Sequence, residues 1–199
     1  MSRALPRLFC LVDATDDLSL LPRLASAGVG GFQVRAKALD DRDLLALTLR
    51  VRDAVEEHDA LVVVDDRMDV ALAAGAAGVH LGARDLPVAD VRRVAPDLLI
   101  GVTCRSRVDV VAARAAGADY AGFGPVFATA SKAGLPEPLG VAAVSAAKGV
   151  LPLVAIGGID ATGAASARAA GAHGVAVIGA IWRRHDPLVA ARELLTAVA

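Results

Sequence analysis

Charged and glycine residues that could do chemistry recur at the ends of short apolar runs along this 199-residue chain. The run GFQVR leads into Gln33-Val34-Arg35-Ala36-Lys37, where alternation along a strand puts Gln33, Arg35 and Lys37 on one side. Lys132 closes the stretch Thr129-Ala130-Ser131-Lys132. Arg35, Lys37 and Lys132 gathered together would repel one another unless an anion sat among them, and a diphosphate suits that arrangement. The plainer alternative leaves Arg35 and Lys37 solvated or paired with Asp40 and Asp41. Asp66 follows LVVVD and Asp85 follows GVHLG. Two carboxylates beside a diphosphate could hold Mg²⁺, which takes one or two carboxylates, several waters and phosphate oxygens. Their plainer readings are a helix cap for Asp85 and a salt bridge to Arg67 for Asp66. Gly157-Gly158 and Gly179 end two further runs. Glycines there let backbone N–H groups approach a phosphate closely, or else they only make tight turns.

Other reactive groups form no constellation. His80 sits inside GVHLG and reads more readily as a satisfied core group than as an acid or base. His58, His173 and His185 read as surface residues. Cys104 could line a pocket, with nothing in the pattern to activate it. No Ser or Cys stands in an elbow with a base, and neither GxGxxG nor a Walker A stretch occurs. Cys10 and Cys104 lie too far apart in sequence for a disulfide scaffold or zinc module. A net charge of −1 gives no global field for nucleic acid or an anionic membrane. No apolar run approaches a bilayer span, and Leu8–Val12 is too short for a signal peptide, so the expectation is a cytoplasmic protein.

These residues need a frame that brings run ends together. Ala-Gly followed by an apolar stretch recurs at Ala27-Gly28, Ala74-Gly75, Ala116-Gly117 and Ala170-Gly171, at about twice the spacing of one βα unit. With LFCLV, LVVVD, LLIGVT and LPLVAIGG between them, the runs count eight, and each is apolar on both faces, as in buried parallel strands. Helical stretches alternate with them at 17–27, 41–57, 67–74, 88–94, 106–116, 139–148, 161–170 and 187–198, with Asp40 and Ser106 as N-caps. The pattern predicts a single-domain (β/α)8 barrel spanning 1–199, with a doubly wound open sheet as the alternative. In such a barrel function sits at the C-terminal strand ends. The long connection Val126–Leu139 after the sixth strand is therefore a candidate functional element. A barrel of this size is also expected to pair as a homodimer.

Taken in order, the motifs resemble a known family. QxRxK (Gln33, Arg35, Lys37), the helix start from Asp66 to Leu72, GVHLGxxDxP (Gly78 to Pro87), GADYxGxGPVFxTxSK (Gly117 to Lys132), AIGGI (Ala155 to Ile159) and GVAVIGAI are similar to thiamine phosphate synthases and their sister branch, the TenI thiazole tautomerases. The resemblance runs from about Leu8 to the last helix. It implies a transferase that joins 4-amino-5-hydroxymethyl-2-methylpyrimidine diphosphate to a thiazole phosphate and releases pyrophosphate, with Mg²⁺ as cofactor and small phosphorylated molecules as its partners. It further implies that Gln33, Arg35, Lys37, Thr103 and Lys132 bind the pyrimidine diphosphate and that Asp66 and Asp85 hold the metal. Thr129, Ser131, Gly158 and Ile178-Gly179, with Gly157 beside them, would hold the thiazole phosphate.

The sequence also departs from the family. Asp65, at a substrate-binding position, stands where the family has Asn. Ala83 replaces Gln, Cys10 a frequent Tyr, and Gly179 the Ser of the last strand, while Ser131 replaces Thr. The segment 131–140 and the residues AIW at 180–182 look more like the tautomerase branch, yet Pro125 stands where the well-known tautomerase has its catalytic His, and Asp85 is kept. A tautomerase acting on the carboxythiazole phosphate and a non-catalytic phosphate-binding barrel are thus the alternatives.

Overall fold

A computed structural model describes residues 4–129 and 137–199. Eight parallel strands close into a barrel in sequence order, β1 (Leu8–Val12), β2 (Gly31–Val34), β3 (Leu61–Asp65), β4 (Gly78–Leu81), β5 (Leu99–Cys104), β6 (Tyr120–Phe123), β7 (Leu153–Ile156) and β8 (Gly174–Val177). Closure is made where Leu8 to Cys10 pair with Val175 to Val177, which leaves no sheet edge and excludes the doubly wound alternative.

Helices wrap the outside: α1 (Leu21–Ser26), α2 (Asp41–Val55), α3 (Met68–Ala74), α4 (Val88–Val94), α5 (Arg107–Ala116), α6 (Gly140–Ala147), α7 (Ala161–Ala169), α8 (Gly179–Trp182) and α9 (Pro187–Val198). Their starts follow local chemistry. Asp40 accepts the Asp43 amide at 2.9 Å, and Ser106 forms a capping box with Asp109. The short α8 is an addition to the eight helices expected. The run GVAVIG stops as a strand at Val177, and the carbonyl of Ile178 accepts the amides of both Ile181 and Trp182, turning the chain at once into a helical turn.

Strand alternation sorts the core into two layers. Outward residues such as Cys10, Phe32, Val64, Ile100, Phe123 and Val175 pack beneath the helices in the larger cluster. Inward residues Phe9, Leu11, Val63, Tyr120, Val154 and Ala176 fill the barrel. Glycines on neighbouring strands make space for the large inward side chains. A Cβ on Gly31 would come within 2.5 Å of the Phe9 ring, one on Gly122 within 2.6 Å of His80 Cε1, and one on Gly101 would strike the Tyr120 ring. The low aromatic content therefore still supplies a filled interior, with Phe9 and Tyr120 stacked at 5.8 Å between ring centroids.

Candidate active site

The barrel interior is capped at its lower end by the inward apolar residues, and at the C-terminal strand ends it opens as a cavity of about 530 Å³. Leu11, Phe9, Val154, Ile156 and Ala176 form its apolar floor. Polar groups stand on two sides of the rim.

One side comes from β2 to β5. Gln33 lies next to the end of β2 and lines the cavity, and its Nε2 donates to Asp65 Oδ1 at 2.8 Å. Arg35 Nε lies 3.3 Å from Asp65 Oδ2. Lys37 Nζ donates to Asp66 Oδ2 at 2.7 Å and lies 3.6 Å from Asp65 Oδ2. Asp65 leaves β3 in register with His80 of β4, and the next residue, Asp66, takes a left-handed conformation at φ +64° with its amide bonded to the His80 carbonyl. That turn aims both carboxylates at the same cations. The plainer readings of these residues fail for local reasons. Asp40 is used as the cap of α2, while Asp41 pairs with Arg67, which also binds Asp69 at 2.6 Å, so neither Lys37 nor Asp66 has those partners.

Asp85 stands behind this wall. Its Oδ2 accepts the Gly82 amide at 2.6 Å, and its carboxyl is hydrogen-bonded to that of Asp66. It does not cap α4, whose N-cap is Pro87. Burial and the Asp66 charge raise Asp85 above the usual carboxylate range. Burial pushes Asp66 the same way, but the bonds from Lys37 and Asp85 outweigh it and hold Asp66 low, so of this pair Asp66 carries the charge. Asp65 is pushed up to about 6 by burial and by the Asp66 charge, against the pull of Lys37, Arg35 and Gln33. Lys37 is raised: burial disfavours its charge, and the carboxylates of Asp66 and Asp65 more than restore it.

Beside this wall runs a buried relay. His80 Nδ1 lies 3.2 Å from the Tyr120 hydroxyl, and Nε2 lies 3.1 Å from Thr103 Oγ1 at the rim. Burial lowers His80 to about 4, so the ring is neutral near pH 7 and holds the Thr103 hydroxyl from below.

The opposite side is mostly backbone. Gly157 and Gly158 both have positive φ, +95° and +64°, in the tight turn after β7. The amide of Phe127 bonds to the Gly157 carbonyl at 3.0 Å, and a Cβ on Gly158 would strike the Ala128 carbonyl, so the chain approaches itself closely here. Ile178 and Gly179 follow β8, and Gly179 begins the single helical turn α8 at the cavity wall. Thr129 also lines this side. Ser131 and Lys132 lie outside the described residues.

One expectation about cysteine is corrected. Cys104 does not line the cavity: it points outward from β5 into the layer under the helices and is buried there. Cys10 likewise faces outward, and its inward neighbours Phe9 and Leu11 meet the cavity instead. Sequence reasoning missed Tyr120, Asp160, Arg183 and Arg184, all at the cavity wall. The two arginines had a signal, since they follow Ile178-Gly179 by one helical turn.

A closed (β/α)8 barrel with cations and carboxylates facing a glycine-built backbone turn across one mouth belongs to the class of barrels that take small phosphorylated molecules. The comparisons give that class its family. The sequence profile of the family described as thiamine monophosphate synthase matches residues 8–181. A thiamine-phosphate synthase of Methanoculleus marisnigri is 48% identical over 183 residues, covering 90% of this chain and 87% of the relative. The "Thiamine biosynthesis bifunctional protein ThiM/ThiE" of Symbiobacterium thermophilum is also 48% identical, over 96% of this chain, which spans only 40% of that longer protein. Among solved structures, a thiamine phosphate pyrophosphorylase from Pyrococcus furiosus superposes with a TM-score of 0.87 at 32% identity, covering 96% of this chain and 95% of the other. The chain belongs to the thiamine monophosphate synthase family.

Proposed function

We propose that this chain is a thiamine-phosphate synthase that joins the aminopyrimidine diphosphate to a thiazole phosphate at this rim. The observation that carries the reading is that the Arg35–Lys37 cationic wall and the Gly157-Gly158 turn face a single cavity, with an apolar floor suited to flat rings between them. A tautomerase needs only one anion seat and an acid or base. That reading would leave the second side of the rim, with Arg35 and Lys37, without an anion to bind.

In the reaction, the bond from the pyrimidine's methylene carbon to the diphosphate oxygen breaks, and its electron pair leaves with the diphosphate. The aminopyrimidine ring shares the positive charge left on carbon. The thiazole nitrogen then gives its lone pair to that carbon, forming the C–N bond, and no proton need be removed by a side chain. Arg35 and Lys37, with Lys132, stabilise the charge growing on the leaving group. Gln33 and Asp65 are placed to hydrogen-bond the pyrimidine and its amine, and Thr103 to meet the same substrate. Thr129, Ser131, Gly157, Gly158, Ile178 and Gly179 seat the thiazole phosphate and aim its nitrogen, which removes much of the entropy cost of the encounter.

Among the described residues no group of three or more His, Cys, Asp or Glu is arranged to hold a metal, so a closed protein cage is not the expectation. Asp66 and Asp85 fit the looser requirement of Mg²⁺. Two carboxyls in hydrogen-bonding contact share a proton, and a divalent ion held by Asp66 and Asp85 would take the place of that proton. When bound, the ion would neutralise charge on the departing diphosphate.

No helix of the described residues is long and apolar enough to cross a membrane. Cytoplasmic location is part of the proposal and is supported by two buried free thiols, which suit a reducing compartment. A homodimer is proposed as well, to be checked by analytical ultracentrifugation. The activity itself is tested by mixing the protein with both substrates and Mg²⁺ and following pyrophosphate. Steady release proportional to enzyme is expected. Absence of release, together with turnover of the carboxythiazole tautomer, would overturn the reading.

A further inference from the structure

The phosphate seat after β7 and β8 has a charged neighbour that the family motifs do not include. Arg183 follows α8 directly, its amide bonded to the Gly179 carbonyl at 3.1 Å. Its side chain folds back along that turn: a Cβ placed on Gly179 would lie 3.1 Å from Arg183 Cδ and 3.5 Å from Nε. The bare Cα of Gly179 is thus what lets the arginine stem cross the start of α8 and bring its head to the cavity wall beside Ile178 and Ala180. The cations on the opposite side are already engaged, Arg35 with Asp65 and Lys37 with Asp65 and Asp66. Among the described residues Arg183 has no carboxylate within ion-pair distance. Its charge is felt at Asp16, whose Oδ2 accepts the Asp13 amide at 2.7 Å.

We infer that Arg183 is a specificity residue of the acceptor seat, binding the phosphate monoester of the thiazole substrate together with the backbone amides of the β7 and β8 turns. The inference rests on the proposed synthase reading for the identity of that monoester. Its physical content is narrower, since a guanidinium without an ion-pair partner beside a backbone anion seat adds charge-assisted, forked hydrogen bonds that neutral amides cannot. The charge discriminates: an acceptor carrying phosphate gains from it, and the same thiazole as a free alcohol does not.

The test varies the acceptor at saturating pyrimidine diphosphate, then the reverse, in wild type, Arg183→Ala, Arg183→Lys and Arg192→Ala. Arg192 removes the same charge from α9, away from the cavity, and serves as the control. Arg183→Ala should raise the KM for the thiazole phosphate about tenfold, with the KM for the pyrimidine diphosphate and kcat within about twofold. Arg183→Lys should fall between, and Arg192→Ala should match wild type. With the unphosphorylated thiazole alcohol the Arg183→Ala defect should vanish. An unchanged KM, or an equal loss with both acceptors, would overturn the inference. Calorimetric titration with inorganic phosphate separates this from the activity. If wild type makes no pyrophosphate yet binds phosphate, and Arg183→Ala weakens that binding, the synthase reading fails and the Arg183 seat stands. Equal phosphate affinity in the two proteins, or none in either, refutes the seat.

Discussion

Two groups in the cavity wall make opposite demands on protons, and their near-cancellation is measurable. His80 titrates at about 4 in the folded chain because burial disfavours its charge, against 6.5 for a free imidazole. Between those values the unfolded chain binds a proton that the folded one refuses, so stability rises with pH. The contribution is whole above about 6.5 and is lost as the pH falls toward 4. The gap of about 2.5 units, at about 1.36 kcal/mol each, amounts to about 3 kcal/mol, an upper value because part of the ring edge meets the cavity. Asp65 runs the other way. Raised from 3.8 to about 6 by burial and the Asp66 charge, it keeps a proton in the folded chain that the unfolded chain gives up. Its stabilisation is present below about 3.8 and is lost as the pH rises through 6, again by about 3 kcal/mol.

Across pH 4 to 6.5 these two slopes oppose each other, so the pair should leave wild-type stability nearly flat in that window. Urea unfolding in metal-free buffer, stepped from pH 4.0 to 7.5, reads the slopes directly. His80→Gln removes one and should leave a protein that gains stability, by up to about 3 kcal/mol, as the pH falls from 6.5 to 4. Asp65→Asn removes the other and should lose a similar amount over the same range. Asp16 and Asp85, also raised by burial, are common to all three proteins and drop out of the comparison. Parallel curves for wild type and both variants would refute the placement of a neutral imidazole and a proton-holding Asp65 in one wall.

Three further outcomes follow from the same geometry. Lys132→Ala and Asp66→Ala should each lower the rate of pyrophosphate release on the order of 10²-fold, because each removes charge from the leaving-group side; full activity in both would displace the site. Chelation should abolish release and added Mg²⁺ restore it, whereas recovery with no divalent ion would leave Asp66 and Asp85 without a metal role. Gly158→Ala places a side chain at φ +64° against the Ala128 carbonyl, so a thermal melt should show a loss of about 1–3 kcal/mol and the KM for the thiazole phosphate should rise more than that for the pyrimidine diphosphate.

How far the sequence spoke depended on the range of the physics involved. Doubly apolar runs such as LFCLV and LVVVD can only be buried on both faces, so they mark their own boundaries, and the strands Leu8–Val12 and Leu61–Asp65 fall where the runs do. Gln33, Arg35 and Lys37 share a side by alternation, a two-residue rule, and they share a wall. What alternation cannot supply is the partner on the neighbouring strand. In chain order Arg35 can meet Asp40 as readily as Asp65 until pairing puts β2 beside β3, and Asp66 meets Asp85 only because the turns after β3 and β4 converge. Cys104 follows from the same two-residue rule: Thr103 faces the cavity, so its neighbour Cys104 faces outward. Tyr120 escaped notice because its role needs Gly101 and His80 on neighbouring strands, one giving it room and the other a hydrogen bond. Arg183 escaped because a helical turn after β8 had read as the end of a strand, and only the turn carries its side chain back over Gly179. The elements were local and legible. The pairings at the rim are properties of strand packing, and packing is where a charge selects its partner from several that the chain order leaves equally near.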